Sequence, residues 1–265
     1  MSIHPLLIFA ATGFFSGLNT ACWGAYKDSP YESFSAPSFL RSIGIGATLG
    51  LLAYVLLPVS RDPSQWVPAF FIIVGLERIC TEYRKSFFLE RSQEKYRIPQ
   101  AFAVFGEVLA SRRRRAGLGL LMIGFVIAVN VGFDRVFVIL PFPASIRFLI
   151  VAAMSGLLIA IGGAWKDAPI EGFSIRAFSR SIAVCVVIAG VLFVALGVHP
   201  QGNLFLTVLG AERLCCEFYK TFVRKRTPGK FLEGVNHPLW LDRRRWFIPL
   251  YATSIVYLVG LLQFR

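Results

Sequence analysis

The chain has 265 residues, 55% of them hydrophobic and 16% charged, with a mean hydropathy of +0.62. Soluble domains carry about 25% charged residues, so this composition excludes a disordered chain and a secreted disulfide scaffold and argues against a soluble enzyme. The 28 Lys and Arg against 15 Asp and Glu give +13. In so apolar a chain that surplus reads as basic loops facing anionic lipid headgroups, with no nucleic-acid partner.

Eight apolar runs can cross or nearly cross a hydrocarbon core of about 30 Å. In chain order they lie at 5–22, 43–57, 66–85, 116–132, 146–165, 182–198, 204–220 and 246–264. The first has no Lys or Arg ahead of it and has a counterpart in the fifth, so it reads as a retained span and not as a signal peptide. After it, K-D-S-P-Y-E reads as a helix start, with Asp28 as N-cap and Pro30 in the first turn; K-D-A-P-I-E repeats the pattern at Asp167 and Pro169. Phe34, Phe39, Phe173 and Phe178 are expected at the membrane interface. The fourth run opens a longer apolar stretch, 116–140, that Asp134-Arg135 breaks and Pro141 and Pro143 close. The fold class is an all-α polytopic membrane protein.

Counting the charges of the third and seventh spans with the side they lead to, 24 of the 28 Lys and Arg go with the side reached after the odd-numbered spans and 4 with the other; the acidic residues divide 13 to 2. The positive-inside rule makes the first side, net +11, cytoplasmic. The expected location is a cell (inner) membrane, with both termini outside the cytoplasm.

The chain reads as two copies of one unit. Residues 27–42 (KDSPYESFSAPSFLRS) and 166–181 (KDAPIEGFSIRAFSRS) agree at nine of sixteen positions, and 75–87 (GLERICTEYRKSF) and 210–222 (GAERLCCEFYKTF) at seven of thirteen. A weaker R-x-P-x-x-F match joins 97–102 to 226–231, and arginine runs at 112–115 and 243–245 precede the fourth and eighth spans. The implied units are 1–140 and 141–265, with four spans each. An even span count makes the copies parallel, related by an axis along the membrane normal, an arrangement that occurs in transporters.

The shared motifs are where any chemistry is expected. If Trp66 marks the outer interface, Glu77 lies eleven residues further in, roughly 16 Å at helical rise and near the bilayer midplane. A charge there costs at least about 2.5–3.5 kcal/mol and should face the bundle interior or a wet cavity. At about 100° per residue, Arg78, Glu82 and Lys85 share one stripe, as do Arg213, Glu217 and Lys220; Glu77 and Glu212 point elsewhere.

The candidate substrate-binding cations are therefore Lys27, Arg41, Arg78 and Lys85 with Lys166, Arg180, Arg213 and Lys220. The candidate coupling or ion-binding carboxylates are Asp28, Glu32, Glu77 and Glu82 with Asp167, Glu171, Glu212 and Glu217. Each copy sums to zero, so the same set also reads as a self-neutralising network pinning the first loop to the third span.

The five cysteines form no C-x-x-C pair and the three histidines are scattered, so no His-based metal site or Ser-His-Asp triad is expected. No catalytic residue, metal or cofactor is named by the sequence. The favoured reading is a transporter or flippase for an anionic, phosphate- or carboxylate-bearing substrate, free or lipid-linked. The alternatives are a metal-dependent membrane enzyme acting on lipid phosphates through Asp28/Glu32 or Asp167/Glu171, and a non-catalytic subunit of a larger membrane complex. A homo-oligomer is compatible with each.

Overall fold

The computed structural model describes residues 4–56, 62–90, 94, 96–225, 230–232 and 234–264. Among them, six helices are long and apolar enough to cross a membrane: α1 (Pro5–Glu32), α2 (Ala36–Leu56), α4 (Arg112–Ile139), α5 (Ala144–Glu171), α6 (Ile175–Ala189, extended to Ala195 by a π-helical turn), and the C-terminal stretch Leu239–Phe264. The last comprises a short α8 (Leu239–Arg243) and α9 (Phe247–Leu261). Between these lie α3 (Trp66–Tyr83) and α7 (Leu204–Phe218), each running into a π-helical turn, Arg84–Phe88 and Tyr219–Val223. The protein is thus an all-α, multi-pass membrane protein by length and composition.

α3, with Glu77, Arg78 and Glu82 in its 18 residues, and α7, with Glu212, Arg213 and Glu217 in its 15, occupy the centre. The main core is built from Val67, Phe70 and Ile72 of α3, Leu204, Val208 and Leu209 of α7, and Val151, Ala152 and Ile159 of α5. A helix buried all round has no lipid face to keep apolar, which leaves room for polar groups inside. α2, α4 and α6 stand outside, with Leu120, Leu121, Val55 and Val187 exposed as lipid-facing side chains would be.

Glycines set the closest approaches. A Cβ on Gly17 would lie 2.5 Å from the Ser42 carbonyl oxygen, and one on Gly46 2.5 Å from that of Gly13, so α1 and α2 pack backbone to backbone. α3 and α7 cross in the same way where Gly75 meets Gly210.

Two local readings of the sequence are corrected. Asp28 and Pro30 do not start a helix: they lie inside α1, which runs to Glu32, as Asp167 and Pro169 lie inside α5. The caps sit just downstream, where Ser35 Oγ accepts from Ser38 N and Ser174 Oγ from Ala177 N. Pro30 O, one of the last-turn carbonyls that the end of α1 leaves without a helical partner, accepts from both Asn236 N and His237 N.

Asp134-Arg135 likewise does not break α4, which is continuous to Ile139 before Pro141 ends it. Asp134 instead reaches across to the start of α7, accepting from Asn203 N at 2.8 Å and Leu204 N at 3.0 Å. Asn130, one turn earlier, donates to Asn203 Oδ1 and accepts from Leu206 N. A small hairpin, β1 (Ala103–Val104) and β2 (Glu107–Val108), turns through Phe105 and Gly106 at positive φ.

Candidate functional site

The charged motifs converge at the basic end of the bundle, where α1 and α5 end and α3 and α7 pass into their π-turns. Because Arg78, Glu82 and Lys85 recur every three to four residues, they share one face, and Glu82 accepts from both neighbours, Arg78 at 2.9 Å and Lys85 at 3.3 Å. A third cation reaches Glu82 from α5, with Lys166 Nζ at 3.6 Å. On α7, Glu217 sits between Lys220 at 3.9 Å and Lys27 of α1 at 3.1 Å. Glu217 is nearly fully buried, so this carboxylate depends on its two cations for the water it has lost. Trp23 lies between Lys27 and Arg78, both over its ring at 5.3 and 5.4 Å.

The second pair of glutamates faces away from these stripes. Glu77 is fully buried; Thr81 Oγ1 donates to its Oε1 at 2.9 Å, and the hydroxyls of Thr20 and Ser42 lie close enough to act on the carboxyl. Its Oε2 has no hydrogen bond among the described residues. Glu212, also buried, has Arg213 Nε at 3.4 Å from its Oε2 and the Cys216 thiol beside it, and that Oε2 likewise has no hydrogen bond among the described residues.

Between the ends of α1, α2 and α3 the structure opens a polar cavity of about 340 Å³. Ala21, Gly24 and Ala25 keep it open on the α1 side, and a Cβ on Gly24 would meet nothing within 4 Å. Arg41, Arg78, Arg84, Lys85 and Lys230 line it, with Asp28, Glu32 and the hydroxyls of Thr20, Ser29, Ser33, Ser38, Ser42 and Thr81. Asp28 pairs with Lys230 at 2.6 Å, and Tyr96 Oη donates to Glu32 at 2.6 Å. With five cations against two carboxylates the lining is net +3.

Of the candidate residues, Asp28, Glu32, Arg41, Arg78 and Lys85 therefore meet around one cavity, while Lys27, Glu82, Lys166, Glu217 and Lys220 are joined by ion pairs beside it. Glu171 and Arg180 are exposed, and none of the side chains of Asp167, Glu171 and Arg180 makes an ion pair or hydrogen bond among the described residues, although Asp167 lies within electrostatic reach of Lys166, Lys220 and Arg213. Among those residues, no group of three His, Cys, Asp or Glu is placed to hold a metal ion.

The candidate residues did not include Arg84, Tyr96 or Lys230. Arg84 has Tyr219 at its place in the second motif, so a comparison of the copies passes over it. Lys230 follows residues 226–229, which hold most of the second R-x-P-x-x-F pattern and lie outside the described residues.

No protein-family model matches the chain, and no curated protein or solved structure matches it either.

Proposed function

We propose that the protein is an integral membrane transporter or flippase that takes an anionic, phosphate- or carboxylate-bearing group into the cavity between α1, α2 and α3. The observation that carries this reading is the net-positive, hydroxyl-lined cavity, which joins charge-assisted donors to small residues that leave space for a ligand. Arg84, Lys85 and Arg41 would hold the anion. In this reading α3 and α7 also cross the membrane, giving eight spans in two parallel four-helix repeats. The basic end faces the cytoplasm of a cell membrane, against anionic headgroups.

Several matched features support the repeat. Gly17 approaches Ser42 O and Ile43 Cα as Gly156 approaches Ser181 O and Ile182 Cα. Both α1 and α5 end on a positive φ, 67° at Ser33 and 81° at Gly172. The ion pairs also exchange partners: Lys27 of the first copy meets Glu217 of the second, and Lys166 of the second meets Glu82 of the first. A twofold axis between α3 and α7 would produce this pattern.

Reconstitution into phosphatidylcholine–phosphatidylglycerol vesicles tests the function, with two probes run in parallel: radiolabelled inorganic phosphate for uptake, and fluorescent phosphatidylglycerol for leaflet exchange read by dithionite quenching. Activity above protein-free vesicles is expected with one probe. It should fall to background in Arg84→Gln/Lys85→Gln and in Gly24→Leu, which fills the cavity without a backbone clash. Background rates with both probes, or full activity in Gly24→Leu, would contradict the reading.

A further inference from the structure

The two copies are not equal at their buried glutamates, and the difference has a chemical direction. Thr20, Ser42 and Thr81 each line the cavity; Thr81 Oγ1 on α3 donates to Glu77 Oε1 at 2.9 Å, and the hydroxyls of Thr20 on α1, which donates to Ser16 O at 3.3 Å, and of Ser42 on α2 lie near the same carboxyl. Glu77 does not line the cavity; it sits one hydroxyl behind its inner wall, fully buried. Aligning Ser16-Gly17 with Ser155-Gly156 puts Ile159 at the place of Thr20, and the G-x-E-R motif puts Cys216 at the place of Thr81. Two of the three hydroxyls are therefore gone around Glu212, which has the Arg213 guanidinium at 3.4 Å instead. On its own helix Glu77 has Arg78 and Cys80 as titratable neighbours, and the Arg78 guanidinium is taken by Glu82 at 2.9 Å. α1 and α2 offer it hydroxyls, and on α7, which crosses at Gly210, the charges at that level are Glu212 and Arg213, held to each other.

From this placement we infer that Glu77 alone, of the two duplicated buried glutamates, is a proton-exchanging site, reached from the cavity through the hydroxyls of Thr20, Ser42 and Thr81, while Glu212 is a fixed structural partner of Arg213. The inference rests on the transport reading, for which it names the coupling group. A hydronium ion in the cavity gives a proton to a wall hydroxyl as that hydroxyl passes its own proton to a Glu77 oxygen. Water is left in the cavity, the hydroxyl is restored and Glu77 is neutral; the reverse steps discharge it. Both buried glutamates keep an Oε2 without a hydrogen bond among the described residues, but only Glu77 also lacks an ion pair; a carboxyl so placed is suited to that exchange, because neutralisation by a proton removes the cost of a buried charge. The neighbouring Glu82 and Glu217 are held by two or three cations each and have no such need.

The test is pH-difference infrared spectroscopy of the reconstituted protein, with hydrogen–deuterium exchange of the carboxyl C=O band. A pH-dependent buried-carboxyl band is expected in the wild type, absent in Glu77→Gln and intact in Glu212→Gln. Thr20→Ile/Thr81→Cys, which copies the second-half residues and keeps Glu77, should retain the band but slow its deuterium exchange at least tenfold. A band that survives Glu77→Gln, or is lost in Glu212→Gln, or exchanges at the wild-type rate in the double variant, overturns the proposal. The readout needs no substrate, so a failed vesicle assay beside this infrared result would refute transport and leave the proton site standing.

Discussion

Glu217→Ala is expected to destabilise the protein by about 3 kcal/mol or more, the scale on which a buried ion pair fails when one partner is removed. The reason is geometric. Glu217 is 3% exposed and lies against Lys27 of α1 and Lys220 of its own helix. Its loss leaves two ammonium groups facing each other with nothing to offset them. Lys27→Met/Glu217→Met should recover much of the loss, because apolar side chains of similar length remove the desolvation problem along with the attraction. Glu171→Ala, at an exposed carboxylate with no ion pair among the described residues, should change stability by less than about 0.5 kcal/mol. Equilibrium unfolding in mixed detergent micelles measures all three. Similar losses in Glu217→Ala and Glu171→Ala would mean that the inner ion pairs hold nothing together.

The second large effect belongs to the crossing of α3 and α7. A Cβ on Gly210 would run into the Phe71 carbonyl, which is backbone and cannot rotate away. Gly210→Ala therefore has to push the two central helices apart, and overpacking of this kind costs about 1–3 kcal/mol, with more expected where both surfaces are main chain. Gly75→Ala meets Leu206 O at 3.0 Å and should be milder. Gly124→Ala and Gly132→Ala on α4 meet nothing within 4 Å and should be neutral, or stabilising by up to about 1 kcal/mol through helix propensity. The same unfolding assay checks the order. Equal effects at Gly210 and Gly124 would show that the α3–α7 contact is looser than described.

The long apolar helices could be read from the chain because burial in lipid needs little beyond length and composition. The stripe of Arg78, Glu82 and Lys85 was legible for a related reason: helical periodicity alone puts those side chains on one face, and all three meet there. What periodicity could not supply was the partner. That Glu82 also takes Lys166, and Glu217 takes Lys27, depends on how the helix ends are brought together.

D-x-P is a valid helix start, yet in both copies it lies near a helix end: in α1 Lys230 pairs with Asp28 and the 236–237 amides reach Pro30 O, and α5 takes the same course with no such contact among the described residues. Asp134 in an apolar run looks like a break until α7 is placed beside it and its amides need a cap. The cavity was hidden for a different reason. It is lined in part by residues that the copies do not share, Arg84 and Thr81 among them, so the comparison that singled out the common motifs passed over what distinguishes them.

For the cavity to serve transport, α3 and α7 must carry their charges through the bilayer from one face to the other. Single cysteines settle this when placed at the two ends of those helices in a background lacking Cys22, Cys80, Cys185, Cys215 and Cys216. Labelled in intact cells with a membrane-impermeant maleimide, Ser64→Cys and Gln201→Cys should react at once, and Glu90→Cys and Lys225→Cys only after permeabilisation. Reaction of all four from the same side would mean that α3 and α7 do not span the membrane.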